Sequence, residues 1–115
     1  MRTWQPKDPC VYILASKPNG VLYAGVTSEL DDRVSIHKQD LFEGFTKRYG
    51  VHMLVYYEMH DTMEAAILRE TQIKKWKRAW KIRLIHGMNP ECLDLYDIET
   101  HTILPGPADS ERFRA

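Results

Sequence analysis

The chain has 115 residues, 43% of them apolar and 28% charged, with 16 Lys and Arg against 16 Asp and Glu. That length supports one domain around a single core. No apolar run approaches the ~20 residues that span a membrane, and residues 1–9 hold no signal-peptide core, so a cytoplasmic location is expected.

Residues 1–8 read as a loose arm, 9–96 as the folded domain and 97–115 as an extension rich in Pro and Gly. Two short apolar runs, Cys10–Ala15 and Val21–Val26, read as strands. Asn19-Gly20 between them is a strong hairpin signal. If that pair alone forms the loop, Tyr12 and Tyr23 point to one face; one residue more reverses this.

Ser28, with Asp31 three residues on, predicts an N-cap and a helix from about Glu29 to Phe42. Leu30, Val34 and Leu41 form its apolar stripe, and Arg33 and His37 fall within or beside that stripe. Glu43–Gly50 reads as a loop carrying Lys47 and Arg48. Val51–Glu58 reads as a third strand, with Val51, Met53, Val55 and Tyr57 on one face and Leu54 and Tyr56 on the other.

Asp61 with Glu64 predicts the next capping box, opening a helix over about Thr62–Lys77. Met63, Ala66, Ile67, Glu70 and Ile73 share one side of it. A last helix over Arg78–His86 is expected to end at Gly87 as its C-cap. Asn89-Pro90 then breaks the chain, and Leu93 and Leu95 should pack back onto the body. The order β-β-α-β-α-α predicts an α+β domain with a small three-stranded antiparallel sheet flanked by helices.

The chemistry sits in five polar residues: Tyr12, Tyr23, Arg33, His37 and Glu70. A charge turned inward costs several kcal/mol unless paired or used. Glu70 is a candidate hard-cation ligand, and one carboxylate with waters suits Mg²⁺. An ion pair, internal or with Lys74 one turn on, is the structural alternative. Arg33 and His37 share a helix face, where Arg offers a planar fork for phosphate oxygens and His can move a proton. Arg33 can equally pair with Glu70. Core filling would explain both tyrosines.

Cys10 and Cys92 make no metal or redox spacing and read as reduced, packed thiols. Trp76 and Trp80, four apart, should pack the last two helices together, with stacking on a nucleobase as the alternative. From Arg69 to Arg83 seven basic residues face a single acid, Glu70. Such a block is either a solvated face or a phosphate-binding surface.

Together these residues resemble the GIY-YIG nuclease family, and its small stand-alone bacterial members in particular. Cys10-Val11-Tyr12 matches the first motif loosely, and Tyr23-Ala24-Gly25 the second. Arg33 and His37 follow at the family's spacing. Phe45–Gly50, Leu54–Glu58, Arg69-Glu70 and Gln72–Trp76 complete the series over about Pro9–Leu95.

The resemblance implies hydrolysis of phosphodiester bonds in DNA with one divalent metal, Mg²⁺ or Mn²⁺, on branched or damaged forms among others, as in repair. Glu70 would hold the metal and Arg33 would steady the phosphate. Tyr12, Tyr23 and His37 would orient or deprotonate water, a tyrosine as base with His37 assisting. Lys47, Arg48, Lys74, Lys75, Lys77 and Arg78 would contact the nucleic acid.

The sequence departs from the family in three ways. Cys10 and Val11 replace Gly and Ile of the first motif, and Ala24 replaces Ile of the second. An Asn that several members carry after the metal Glu has no counterpart in 78–85, Asn89 being the nearest. No added DNA-binding domain accompanies the motifs. An inactive nucleic-acid-binding module, or a protein-interaction domain with a structural ion-pair network, are the rival readings.

Overall fold

The computed structural model describes residues 8–39, 44–97, 100 and 102–103. Its sheet has the order β2-β1-β3, both pairs antiparallel, from β1 (Cys10–Ala15), β2 (Leu22–Thr27) and β3 (Met53–Met59). All six residues of β1 are buried, as a central strand covered on both faces must be. The α+β sheet-and-helix architecture expected from the sequence is the one found.

The hairpin loop is longer than Asn19-Gly20. Ser16 and Val21 close it, the Ser16 N–H donating to the Val21 carbonyl at 3.0 Å and the Val21 N–H to Ser16 Oγ at 2.9 Å. Inside, the Gly20 N–H donates to the Lys17 carbonyl at 2.9 Å, and Asn19 takes φ 59°. Pro18 at the second position and a left-handed Asn19 at the third fit a type II turn. The loop grew by an even number of residues, so side-chain parity survives. Tyr12 pairs with Gly25 and Leu14 with Tyr23, and the two tyrosines share a face.

Helix α1 spans Leu30–Lys38 and buries Leu30, Val34 and His37. Its N-cap is Glu29, without a side-chain cap bond, rather than Ser28. Thr27 Oγ1 organises this corner instead, accepting the Glu29 N–H at 3.0 Å. Gln39 caps the end, and the rest of the expected helix, 40–42 with Leu41, lies outside the described residues. The stretch read as a loop contains a short helix, α2 (Phe45–Tyr49), bracketed by Gly44 and Gly50 at φ 108° and 63°.

In β3 the alternation breaks. Ile13 pairs with Tyr56 but Leu14 with Leu54, so Val55 is an extra residue bulged out of register. Leu54 therefore joins Tyr57, not Tyr56, on the Tyr12 face.

Helix α3 (Met63–Lys74) is capped by Thr62, not Asp61: Thr62 Oγ1 accepts the Ala65 N–H at 3.1 Å. It packs over β1 and β2, and buries Ala66 and Ile73. Helix α4 (Arg78–Met88) runs through Gly87 to an Asn89 C-cap. Asn89 is fully buried and explains the longer helix. Its amide donates to the Val55 carbonyl (3.1 Å) and the Leu93 carbonyl (2.8 Å), while its Oδ1 accepts the Leu93 N–H (3.0 Å).

Leu95 is buried and donates its N–H to the Leu54 carbonyl at 2.7 Å, whereas Leu93 stays 48% exposed. Tyr96–Asp97 (β4) and Thr102–Ile103 (β5) form a small ribbon within the stretch read as an extension. Asp8, placed in the arm by the sequence, is buried. Among the described residues no helix is long and apolar enough to cross a membrane.

Candidate functional site

Strand parity sets the first two residues. Tyr12 on β1 and Tyr23 on β2 are diagonal neighbours, with ring centroids 6.4 Å apart. His37, 3% exposed on α1, closes a triangle at 6.0 Å from Tyr12 and 5.6 Å from Tyr23. The Tyr12 hydroxyl lies 3.3 Å from His37 Nε2.

Gly25 makes room for this triangle. It stands opposite Tyr12 in the ladder, and a Cβ there would sit 2.5 Å from Tyr12 Cζ and 2.9 Å from Cε1. Real Cβ atoms do not approach so closely, so only glycine lets the ring lie over the neighbouring strand. Gly25 was legible as a motif letter; its steric role is a finding of the structure.

The electrostatics follow from burial. Desolvation, then Arg33, then His52 pull the His37 imidazole down to about 4. It is therefore neutral near pH 7. Burial, and next Tyr23, push the Tyr12 phenol well above its usual value; Arg33 pulls the other way and Glu70 adds to the rise. Tyr12 is therefore a protonated donor. The charges of Arg33 from α1 and Glu70 from α3 both reach its hydroxyl.

The Glu70 side chain is 14% exposed and meets Lys74 Nζ at 3.0 Å. Lys74 is itself half-exposed, a screened partner that a stronger cation can replace. Among the described residues no three His, Cys, Asp or Glu side chains gather. A divalent ion at Glu70 would then keep most of its waters, which fits Mg²⁺ and not a closed zinc site.

The expected nucleic-acid contacts divide. Lys75 and Lys77 are exposed at the α3–α4 junction, next to Lys74. Arg78 grips the hairpin, donating to the Asn19 carbonyl at 2.7 Å and to the Gly20 carbonyl. Those partners are neutral, so its charge remains. Lys47 and Arg48 are exposed on α2, a separate element.

Sequence reasoning missed Glu58. It accepts from the Tyr56 hydroxyl at 2.7 Å, His60 Nε2 at 2.7 Å and Arg69 Nε at 3.0 Å. Burial raises this carboxyl, but the hydrogen bonds from Tyr56 and Arg69 and the charge of Arg69 outweigh it and hold it below its usual range. The signal was the i, i+2 spacing of Tyr56, Glu58 and His60, which puts all three on one strand face. Arg69 ties α3 to β3 one residue from Glu70. Burial and Glu58 also push the Cys10 thiol up to about 12, and Cys10 and Cys92 are free and buried, as expected for inert packing thiols.

A family model described as the GIY-YIG catalytic domain matches residues 8–83. A UPF0213 protein of Staphylococcus aureus is 41% identical over 76 residues, covering 65% of this chain and 90% of its own length. A UPF0213 protein of Staphylococcus saprophyticus is 36% identical over 75 residues with the same coverage. No solved structure matches the chain. The matched span contains the whole three-stranded sheet and Tyr12, Tyr23, Arg33, His37 and Glu70, and the chain belongs to the GIY-YIG family.

Proposed function

We propose that this chain is a cytoplasmic endonuclease hydrolysing phosphodiester bonds in DNA, branched or damaged forms included, with Mg²⁺ or Mn²⁺ held at Glu70. The family makes it a nuclease-type domain. The observation that carries the finer reading is the Tyr12–His37 pair, 3.3 Å apart under the charges of Arg33 and Glu70.

Tyr12 accepts the proton of the attacking water while passing its own to neutral His37. Tyr23, more exposed than either, orients that water. The Arg33 guanidinium binds the phosphate oxygens and gains strength as their charge grows in the transition state. Bound at Glu70, the cation supplies Lewis-acid polarisation and stabilises the leaving oxygen.

The test is cleavage of duplex, branched and single-stranded DNA with Mg²⁺ or Mn²⁺ by wild type, Glu70→Ala and Arg33→Ala. Cleavage confined to the wild type supports the reading; equal cleavage by all three rejects the site. A binding module without catalysis is the second reading. It is favoured by Asn89, whose amide is engaged on both sides by backbone. It predicts salt-dependent DNA binding, no cleavage, and indifference to Glu70→Ala.

A further inference from the structure

Along α4, beside the α3–α4 junction, lies an open groove of about 360 Å³, lined by Trp76, Trp80, Arg83, Leu84 and Gly87. Trp76 and Trp80 meet edge to face at 6.1 Å, and Trp80 remains 51% exposed. Packing of the last helices therefore accounts for half of this side chain and leaves an indole in water. Gly87 adds no side chain to the groove, and a Cβ there would meet nothing within 4 Å.

The surroundings decide what the groove fits. Lys75 and Lys77 are exposed in the junction on either side of Trp76, and on α4 Arg83 is exposed and Lys81 half-buried. Glu70, the one acid between Arg69 and Arg83, already faces Lys74. A purely apolar helix face or an uncharged acyl chain leaves these cations without a partner. An unpaired nucleobase with its phosphates matches both features: a π-face for the indole and negative charge for the rim. In a duplex the bases are stacked inside, and only the rim is satisfied.

We propose that the Trp76–Trp80 groove is a stacking subsite for an unpaired base, so that this chain selects nucleic acid with single-stranded segments over blunt duplex. The proposal deepens the nuclease reading by naming the form of its substrate. Arg83 contacts the adjoining phosphate.

The experiment measures binding by tryptophan fluorescence in metal-free buffer, where cleavage plays no part. The full chain is titrated with oligo(dT), oligo(U) and a blunt duplex, each of about ten nucleotides or base pairs per strand, within the range of one binding site. Oligo(dT) should quench the wild type. Trp80→Ala and Trp80→Leu, the latter keeping apolar volume without a π-face, should weaken single-strand binding by about tenfold or more, and duplex binding by less than about twofold. Trp80→Phe should restore most of the affinity. Arg83→Ala should weaken both probes and reduce the salt slope by about one.

Trp80 dependence on either single strand supports the proposal, and the tighter of the two names DNA or RNA as the natural source. Equal effects of Trp80→Leu on single strand and duplex overturn it, as does no effect on either. A wild-type dimer that Trp80→Leu dissolves, with nucleic-acid affinity unchanged, also overturns it and gives the groove to a second copy. Because no cleavage is read, these outcomes are independent of the Glu70→Ala and Arg33→Ala result.

Discussion

Tyr12 occupies the space that a side chain on Gly25 would need: a Cβ there would fall 2.5 Å from Tyr12 Cζ. One strand supplies the ring and the next supplies its absence, and the hydroxyl is thereby aimed at His37.

Gly25→Ala is expected to displace the Tyr12 ring and break its hydrogen bond to His37. Overpacking of this kind costs about 1–3 kcal/mol. Thermal unfolding should show that loss. DNA cleavage should fall far more than the fraction unfolded explains, and activity retained at the wild-type level would separate Tyr12 from the chemistry.

Acid should destabilise the fold through His37. Its folded value of about 4 lies below the ordinary imidazole value of 6.5, chiefly because burial disfavours the imidazolium. The unfolded chain then binds the proton first, and stability falls as pH drops from about 6.5 to about 4, by about 3 kcal/mol in full. Glu58, also held low, acts in the same direction, so the comparison must be internal. In urea titrations at pH 7 and pH 5, His37→Gln should lose less stability between the two than wild type. Parallel losses would show that His37 is not the titrating group.

Glu70→Ala separates a working carboxylate from a structural one. The ion pair to Lys74 is a helix i,i+4 pair, worth roughly 0.3–0.5 kcal/mol. The melting temperature should move by no more than about 2–3 °C, while cleavage is abolished and chelation of divalent ions leaves wild type equally inactive. A fall in stability of about 3 kcal/mol or more would instead assign Glu70 to a buried charge network with Arg33.

Asn89→Ala should do the reverse. Its side chain holds the Val55 and Leu93 backbone, and each buried group left without a partner costs about 1–3 kcal/mol. Melting should drop by roughly 4 °C or more. Cleavage per folded molecule should stay at the wild-type level, which a catalytic Asn89 would not allow.

The sequence was most legible where one physical rule acts alone. Alternation and apolar runs located all three main strands, and β1 to the residue. Helical spacing found the buried face that carries Val34 and His37. Boundaries were lost where side chains compete. Ser28 and Asp61 looked like caps, but Thr27 turns the first corner and Thr62 caps the second helix. Gly87 looked like a helix stop, yet the helix runs past it to Asn89, which is bonded to the distant Val55 carbonyl and the nearby Leu93 carbonyl.

Long-range partners were the least legible. The Val55 bulge depends on how β3 docks against β1. The Arg78 grip on the hairpin joins residues nearly sixty positions apart. Among the site residues, spacing within α1 tied Arg33 to His37, whereas the contact of His37 with both tyrosines needed the sheet register.

The place of β1 in the middle of the sheet has a consequence for biosynthesis. This strand leaves the ribosome ahead of both neighbours, with every one of its side chains destined for the interior. Its partner β2 can zip to it at once through the short turn, on the microsecond scale of hairpins. The other edge must wait for β3, and α3, which packs over β1 and β2, follows later still. A nascent chain stalled before Met53 would therefore present an open, apolar ribbon, the species most prone to stick to its own kind.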